Sequence, residues 1–238
     1  MARTAPIRLL GCPASVTKFA ATATIVVLAI AVASAGAGVS ASVRGSAACV
    51  PATSIEAIVD DSGSMGDADP DNLRVTALDI LIDAPTNASR TLGALEFGST
   101  ASTLFKPQPI GTAAGAMKAV LADRIDYANL FTNYNAAFSL AKTENPGAGA
   151  RIFLTDGGHD IGVYLKGHRG GPPTYVLGIG IGPPGTDSNA NQLQQIATDT
   201  GGTYYTSLTS ASLPGVMNDI QARLSCTRPP ASASLKLR

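Results

Sequence analysis

The chain has 238 residues, of which 45% are hydrophobic, enough to build one domain of ordinary size with additional segments. Only 14% are charged, less than the usual quarter. The formal charge is zero overall, but 13 basic and 17 acidic side chains follow residue 47, so the main part of the chain is mildly acidic. It has no cluster of Lys and Arg, which argues against a nucleic-acid partner.

The first 48 residues have the pattern of an export signal or membrane anchor with a linker. Basic residues precede an apolar run over residues 19–32, an arrangement typical of a signal peptide. Small residues at 33–35 and 39–41 fit the pattern of a cleavage site. The alternative is an uncleaved anchor over residues 19–39, which would attach the protein to a membrane. Both interpretations predict a secreted or extracytoplasmic protein.

Two cysteines lie outside the leader, Cys49 and Cys226. An even pair is expected in an oxidising compartment, and a bridge between them would join the two ends of one domain. Two unrelated thiols are the alternative. We therefore expect one domain over residues 49–226, followed by a polar C-terminal tail at 227–238.

Strands and helices are predicted to alternate along the domain. Strands are expected at 55–60, 91–97, 101–105, 151–156, 174–180 and 203–206. Helices are expected from a cap at Asp69 through Leu81, at 111–123, from Tyr134 to before Asn145, at 189–198 and at 213–224. This order predicts an α/β fold with an open, mostly parallel, doubly wound sheet of about six strands, one antiparallel edge strand, and helices on both faces.

A polar turn, Asp60-Asp61-Ser62-Gly63-Ser64, follows the first predicted strand. It offers one carboxylate and two hydroxyls at alternate positions, and such hard oxygens suit Mg²⁺, Mn²⁺ or Ca²⁺ better than zinc or copper. Because three oxygens cannot complete an octahedron, other loops must contribute. Asp156 ends another predicted strand, at the sheet edge where ligands bind in such folds. Thr132 precedes a predicted helix, where an N-cap is the competing interpretation.

Together these three segments resemble the von Willebrand factor type A domain, whose metal-ion-dependent adhesion site is written Asp-x-Ser-x-Ser, then Thr, then Asp. The resemblance runs from about residue 53 to residue 225. It implies that the hydroxyls of Ser62, Ser64 and Thr132 bind the ion. It also implies that Asp60 and Asp156 bind it directly or through water. The implied partner is a protein that presents an Asp or Glu carboxylate to Mg²⁺, Mn²⁺ or Ca²⁺.

The resemblance implies an exported metal-dependent binding or adhesion module and not an enzyme. The alternative is a structural subunit of a cell-envelope assembly, with a vestigial or purely stabilising metal site. A serine hydrolase is not expected, because Gly-x-Ser-x-Gly is absent around the two serines. Two features depart from the family pattern: Leu130-Phe131 stands where glycines are usual, and residues 157–172 show no clear crossover helix. Asp61, His159 and His168 are expected to be solvated.

Overall fold

The computed structural model describes residues 49–126 and 130–227. Six strands in this part of the chain form one sheet in the order β3-β2-β1-β4-β5-β6. They are β1 (Ser54–Asp60), β2 (Thr91–Phe97), β3 (Ala101–Pro109), β4 (Ala150–Thr155), β5 (Thr174–Gly178) and β6 (Tyr204–Tyr205). Only the β2–β3 pair is antiparallel within these residues. The predicted leader, and the predicted tail after residue 227, lie outside the described residues.

Helices cover both faces of the sheet. They are α1 (Met65–Ala68), α2 (Leu73–Asp83), α3 (Ile110–Arg124), α4 (Tyr134–Glu144), α5 (Ser188–Thr200) and α6 (Leu213–Leu224). Helices α2, α3 and α6 pack on one apolar layer, and α4 and α5 on the other. Because successive strand residues point to opposite faces, Ala57 and Val59 of β1 enter the first layer and Ile58 the second. The predicted doubly wound α/β fold is confirmed.

None of the helices within residues 49–126 and 130–227 is long and apolar enough to cross a bilayer.

The start of α2 differs from its predicted position. The helix begins at Leu73 and not beside Pro70. The Asp69 carboxylate nevertheless accepts the backbone N–H groups of Leu73 at 2.6 Å and Arg74 at 3.2 Å. Asp69 therefore accepts free N–H groups of the first helical turn although it lies four residues before the helix begins. The sequence pattern alone does not distinguish this arrangement from an ordinary N-cap.

The two ends of the described domain are fastened together. A disulfide joins Cys49 to Cys226, with 5.7 Å between their Cα atoms. Beside it, the Ala52 N–H donates to the Leu224 carbonyl at 2.9 Å. The buried Arg90 guanidinium donates to the carbonyls of both residues. A covalent bond and a buried cation thus hold the segment before β1 against the end of α6.

Replacing both cysteines, Cys49→Ser with Cys226→Ser, is expected to lower the free energy of unfolding by about 2–5 kcal/mol. The reason is that the bridge closes a sequence separation of 177 residues and so restricts the unfolded chain. Urea denaturation with and without reductant measures the change. The double variant should not respond to reductant, and a variant as stable as the oxidised wild type would contradict the prediction.

Candidate metal centre

The polar turn at residues 60–64, the serine turn, lies at the point where the order of the strands reverses. Strands β1 and β4 are neighbours at the centre of the sheet, although β1 is followed along the chain by β2 on its other side. The register pairs Val59 with Leu154, so Asp60 ends β1 next to Thr155. Asp156 follows directly. Such crevices at the carboxyl ends of parallel strands are where doubly wound folds bind ligands.

Hydrogen bonds link the turn to both central strands. The Asp60 carboxylate accepts the Ser62 N–H at 2.9 Å and the Thr155 hydroxyl at 2.5 Å. The hydroxyl oxygens of Ser62 and Ser64 are 3.2 Å apart, and Ser64 donates to Asp156 Oδ1 at 3.1 Å. Oxygens of Ser62, Ser64 and Asp156 therefore form a continuous hydrogen-bonded chain.

Thr132 belongs to the same region. It is almost fully buried and lines a cavity of about 390 Å³ together with Ser64 and Asp156. The N-cap of α4 is Asn133, whose side-chain oxygen accepts the Ala136 N–H at 3.1 Å. The capping function considered for Thr132 is therefore filled by its neighbour.

Asp160 positions the Thr132 backbone and was missed by the sequence reasoning. Its carboxylate accepts the Thr132 N–H at 2.8 Å, and its own N–H donates to the Thr132 carbonyl at 3.0 Å. It also lines the cavity. No local sequence pattern distinguishes Asp160 from other polar residues of a glycine-rich loop, because its partner is 28 positions away.

The carboxylates of Asp60 and Asp156 lie in surroundings that disfavour their charged forms. Burial raises the pKa of Asp60 to about 7, although the bonds from Ser62 and Thr155 oppose the shift. Burial also raises the pKa of Asp156, against the bond from Ser64. A cation beside these carboxylates would favour their ionised forms.

The available oxygens fit a hard divalent cation. Hydroxyls and carboxylates are ligands for Mg²⁺, Mn²⁺ or Ca²⁺. Across the described residues, no group of three or more His, Cys, Asp and Glu side chains could hold a metal ion.

Asp61 is buried, so the expectation of a solvated side chain is wrong. Its carboxylate lies 3.5 Å from the fully buried Arg74 guanidinium, which also lies 3.4 Å from Asp69. Arg74 additionally donates to the Asp60 carbonyl. One cation on α2 thus holds the end of β1 and balances two carboxylates that would otherwise be costly to bury.

The expectation of solvated histidines is also wrong. His168 is buried, with Nδ1 bonded to the Tyr164 hydroxyl and Nε2 at 3.1 Å from Asp199. His159 is partly buried, and its Nδ1 accepts the Tyr134 N–H at 3.1 Å. These contacts pack the loop over residues 157–172 onto α4 and α5. That segment is a loop without a helix, one of the two outcomes expected where no clear crossover helix was visible.

Arg74→Met is expected to lower the free energy of unfolding by about 3–5 kcal/mol, because Asp61 and Asp69 lose their buried counter-charge. Urea denaturation measures the loss. The matched control is Lys118→Met, which breaks the exposed pair with Asp83 and should cost less than about 1 kcal/mol. Similar losses in both variants would contradict the assigned charge balance.

The metal-free protein should lose stability as pH rises from about 4 to about 7. The pKa of Asp60 is about 7 in the folded chain against an ordinary 3.8, so the folded chain binds more protons across that window. In Asp60→Asn this loss should shrink by up to about 4 kcal/mol, at ~1.4 kcal/mol per pKa unit. Urea denaturation in EDTA at pH 4 and 7.5 measures both proteins.

Glu56, whose pKa burial also raises to about 7, contributes equally to both proteins and cancels in the comparison. The same pH dependence in both would show that Asp60 does not titrate as described.

No protein-family model and no curated protein matches the sequence. Solved structures do match the fold. An aerotolerance-related membrane protein from Bacteroides fragilis is 22% identical, with a TM-score of 0.53, covering 70% of this chain and 96% of that one.

Two further matches are a thread matrix protein and a pilus adhesin. Proximal thread matrix protein 1 from the mussel byssus, described with a zinc-occupied MIDAS motif, is 16% identical, with a TM-score of 0.54, over 74% of this chain and 48% of that one. The pilus adhesin SpaC from Lactobacillus rhamnosus GG is 15% identical, with a TM-score of 0.54, over 74% and 30%. At these identities the likeness is one of fold alone.

Proposed function

We propose that the chain is an exported metal-dependent protein-binding or adhesion module. Residues 49–226 form the module, residues 1–48 the leader or anchor with its linker, and residues 227–238 a tail. Mg²⁺, with Mn²⁺ or Ca²⁺ as alternatives, is held by Ser62, Ser64, Thr132, Asp60 and Asp156. The observation that carries this proposal is the hydrogen-bonded chain of oxygens from Ser62 through Ser64 to Asp156 beside the cavity lined by Thr132.

The proposed ligands have different functions. Ser62, Ser64 and Thr132 supply neutral oxygens, so the site carries few negative charges of its own. Asp60 is held by the Ser62 N–H and the Thr155 hydroxyl, which keeps the turn in place. A bound divalent cation would supply a positive centre with a coordination position for an outside carboxylate. Because the proposed ligands carry few negative charges, the site favours binding of an outside carboxylate over complete enclosure of the ion by protein ligands.

Exposed apolar side chains near the site support a protein partner over a small anion. Leu130 and Phe131 precede Thr132 and are 80% and 53% exposed. Val163 and Leu165 are also exposed, on a loop segment whose backbone bonds to Asn135 at the start of α4. Exposed apolar side chains that lie together at a surface are typical of protein–protein contact sites.

The comparisons support the same interpretation. Proteins of this fold include one described with a MIDAS motif and one described as a pilus adhesin. Because the mussel protein is described with zinc, a metal titration of this chain must include Zn²⁺.

The double variant Ser62→Ala with Ser64→Ala is expected to bind Mg²⁺ at least about tenfold more weakly than the wild type. The reason is that two of the proposed ligands are lost, and even the groups that orient a ligand are worth tenfold or more. Isothermal titration calorimetry with Mg²⁺, Mn²⁺, Ca²⁺ and Zn²⁺ measures the affinities. Ser139→Ala, at an exposed position of α4, is the matched control and should bind as the wild type does. Unchanged affinity in the double variant would rule out this ligand set.

Partner binding should require both the cation and a carboxylate. The immobilised protein should capture its partner from envelope extract in Mg²⁺ and lose it in EDTA or in the double serine variant. Amidation of carboxyl groups in the extract should also abolish capture. Capture that persists in EDTA and in the double variant would contradict the proposal and favour a structural subunit with a vestigial site.

A further inference from the structure

Arg151 is a buried cation near the start of the central strand β4, whereas the serine turn lies beside the other end of that strand. It is the second residue of β4, whose other end leads to Asp156. The side chain is 4% exposed, and its Nε and Nη1 atoms have no hydrogen-bond partner among the described residues. The guanidinium carbon lies 5.9 Å from the Phe138 ring centroid. Buried N–H donors without acceptors are costly, so an acceptor at this position would be stabilising.

Arg151 lines a small cavity, which we call the Arg151 cavity. Its volume is about 120 Å³, and it is lined in part by Lys142, Asn145, Arg169 and Gly171 in addition to Arg151. Lys142 and Arg169 are exposed. A Cβ at Gly171 would come within 2.3 Å of Arg151 Nη1, so the loop backbone at Gly171 lies directly against the guanidinium.

The charge around the Arg151 cavity is not balanced by a close ion pair. Glu56 is the register partner of Arg151 on β1, but no carboxylate of the described residues lies within 4.0 Å of the guanidinium. Glu56 Oε2 also lacks a hydrogen-bond partner there. Arg169 is paired with Asp199 at 2.7 Å. Arg151 and Lys142 thus leave an excess of positive charge that Glu56 only partly offsets.

We propose that the Arg151 cavity binds a small oxyanion, phosphate or sulfate, either as a free ion or as the terminal group of a larger molecule. Arg151 is the buried donor, and Lys142 contributes charge at the mouth. A planar guanidinium matches two oxygens of such an anion. An apolar guest would leave the N–H groups of Arg151 unsatisfied. The cavity and the serine turn lie at opposite ends of β4, so the two sites can be tested separately.

Isothermal titration calorimetry of the purified full-length protein with sodium phosphate tests the proposal. EDTA removes divalent cations, and sodium chloride holds the ionic strength constant. The wild type should bind one phosphate. Lys142→Ala should weaken binding about tenfold, as expected for loss of a charged partner. Glu56→Gln should tighten it, because the opposing carboxylate is removed.

Arg151→Gln should abolish phosphate binding. If that variant does not fold, Lys142→Ala and Glu56→Gln decide the outcome, since they act in opposite directions. Lys106→Ala, whose side chain is 82% exposed and outside the cavity, is the matched control and should leave the affinity unchanged. The double serine variant should also bind phosphate normally, which separates this site from the proposed metal centre.

Parallel titrations with sulfate and with O-phosphoserine distinguish a free oxyanion from the terminal group of a larger molecule. Binding of the inorganic ions alone assigns a free oxyanion, whereas binding of O-phosphoserine as well assigns a terminal group. Absence of saturable binding below about 10 mM in the wild type, or an equal loss in Lys106→Ala, would overturn the proposal.

Discussion

The Asp60 carboxylate is the connection on which the arrangement at the top of the sheet depends. It accepts the Thr155 hydroxyl from β4 and the Ser62 N–H from the turn, so one buried group joins two central strands to the loop between β1 and α1. The positions of Ser62 and Ser64 relative to Asp156 follow from that connection. Because the group is sealed from water, its position is fixed by hydrogen bonds and its protonation responds to any charge nearby.

Arg74 completes this arrangement from the other side. Three acidic residues, Asp60, Asp61 and Asp69, are buried around the turn, and the Arg74 guanidinium lies against the last two. It also donates to the Asp60 backbone, but the Asp60 side chain remains directed to hydroxyl and amide donors. Arg74 thus supplies the counter-charge for Asp61 and Asp69, whereas burial raises the pKa of Asp60 and of Asp156.

Elements with a strong local pattern were predicted closely, and contacts between distant residues were not. Strand β2 and helix α6 have the predicted bounds, because apolar runs and helical spacing define them. The three motif segments could be placed at one edge for the same reason. The burial of Asp61 depends on Arg74, 13 residues away, and that of His168 on Asp199, 31 residues away. Local sequence contains no signal for such pairs, since an arginine on an amphipathic helix ordinarily faces solvent.

The disulfide and Arg90 together hold the segment before β1 against the end of α6, and this attachment has a mechanical consequence. Residues 49 and 226 leave the fold together at the edge where β1 begins, and the serine turn lies where β1 ends. Tension between an attachment at these residues and a guest at the turn would therefore run along a central strand that is hydrogen-bonded on both sides. Such a load would shear the hydrogen bonds of β1 to both neighbours together, and the disulfide would keep residue 226 attached to residue 49.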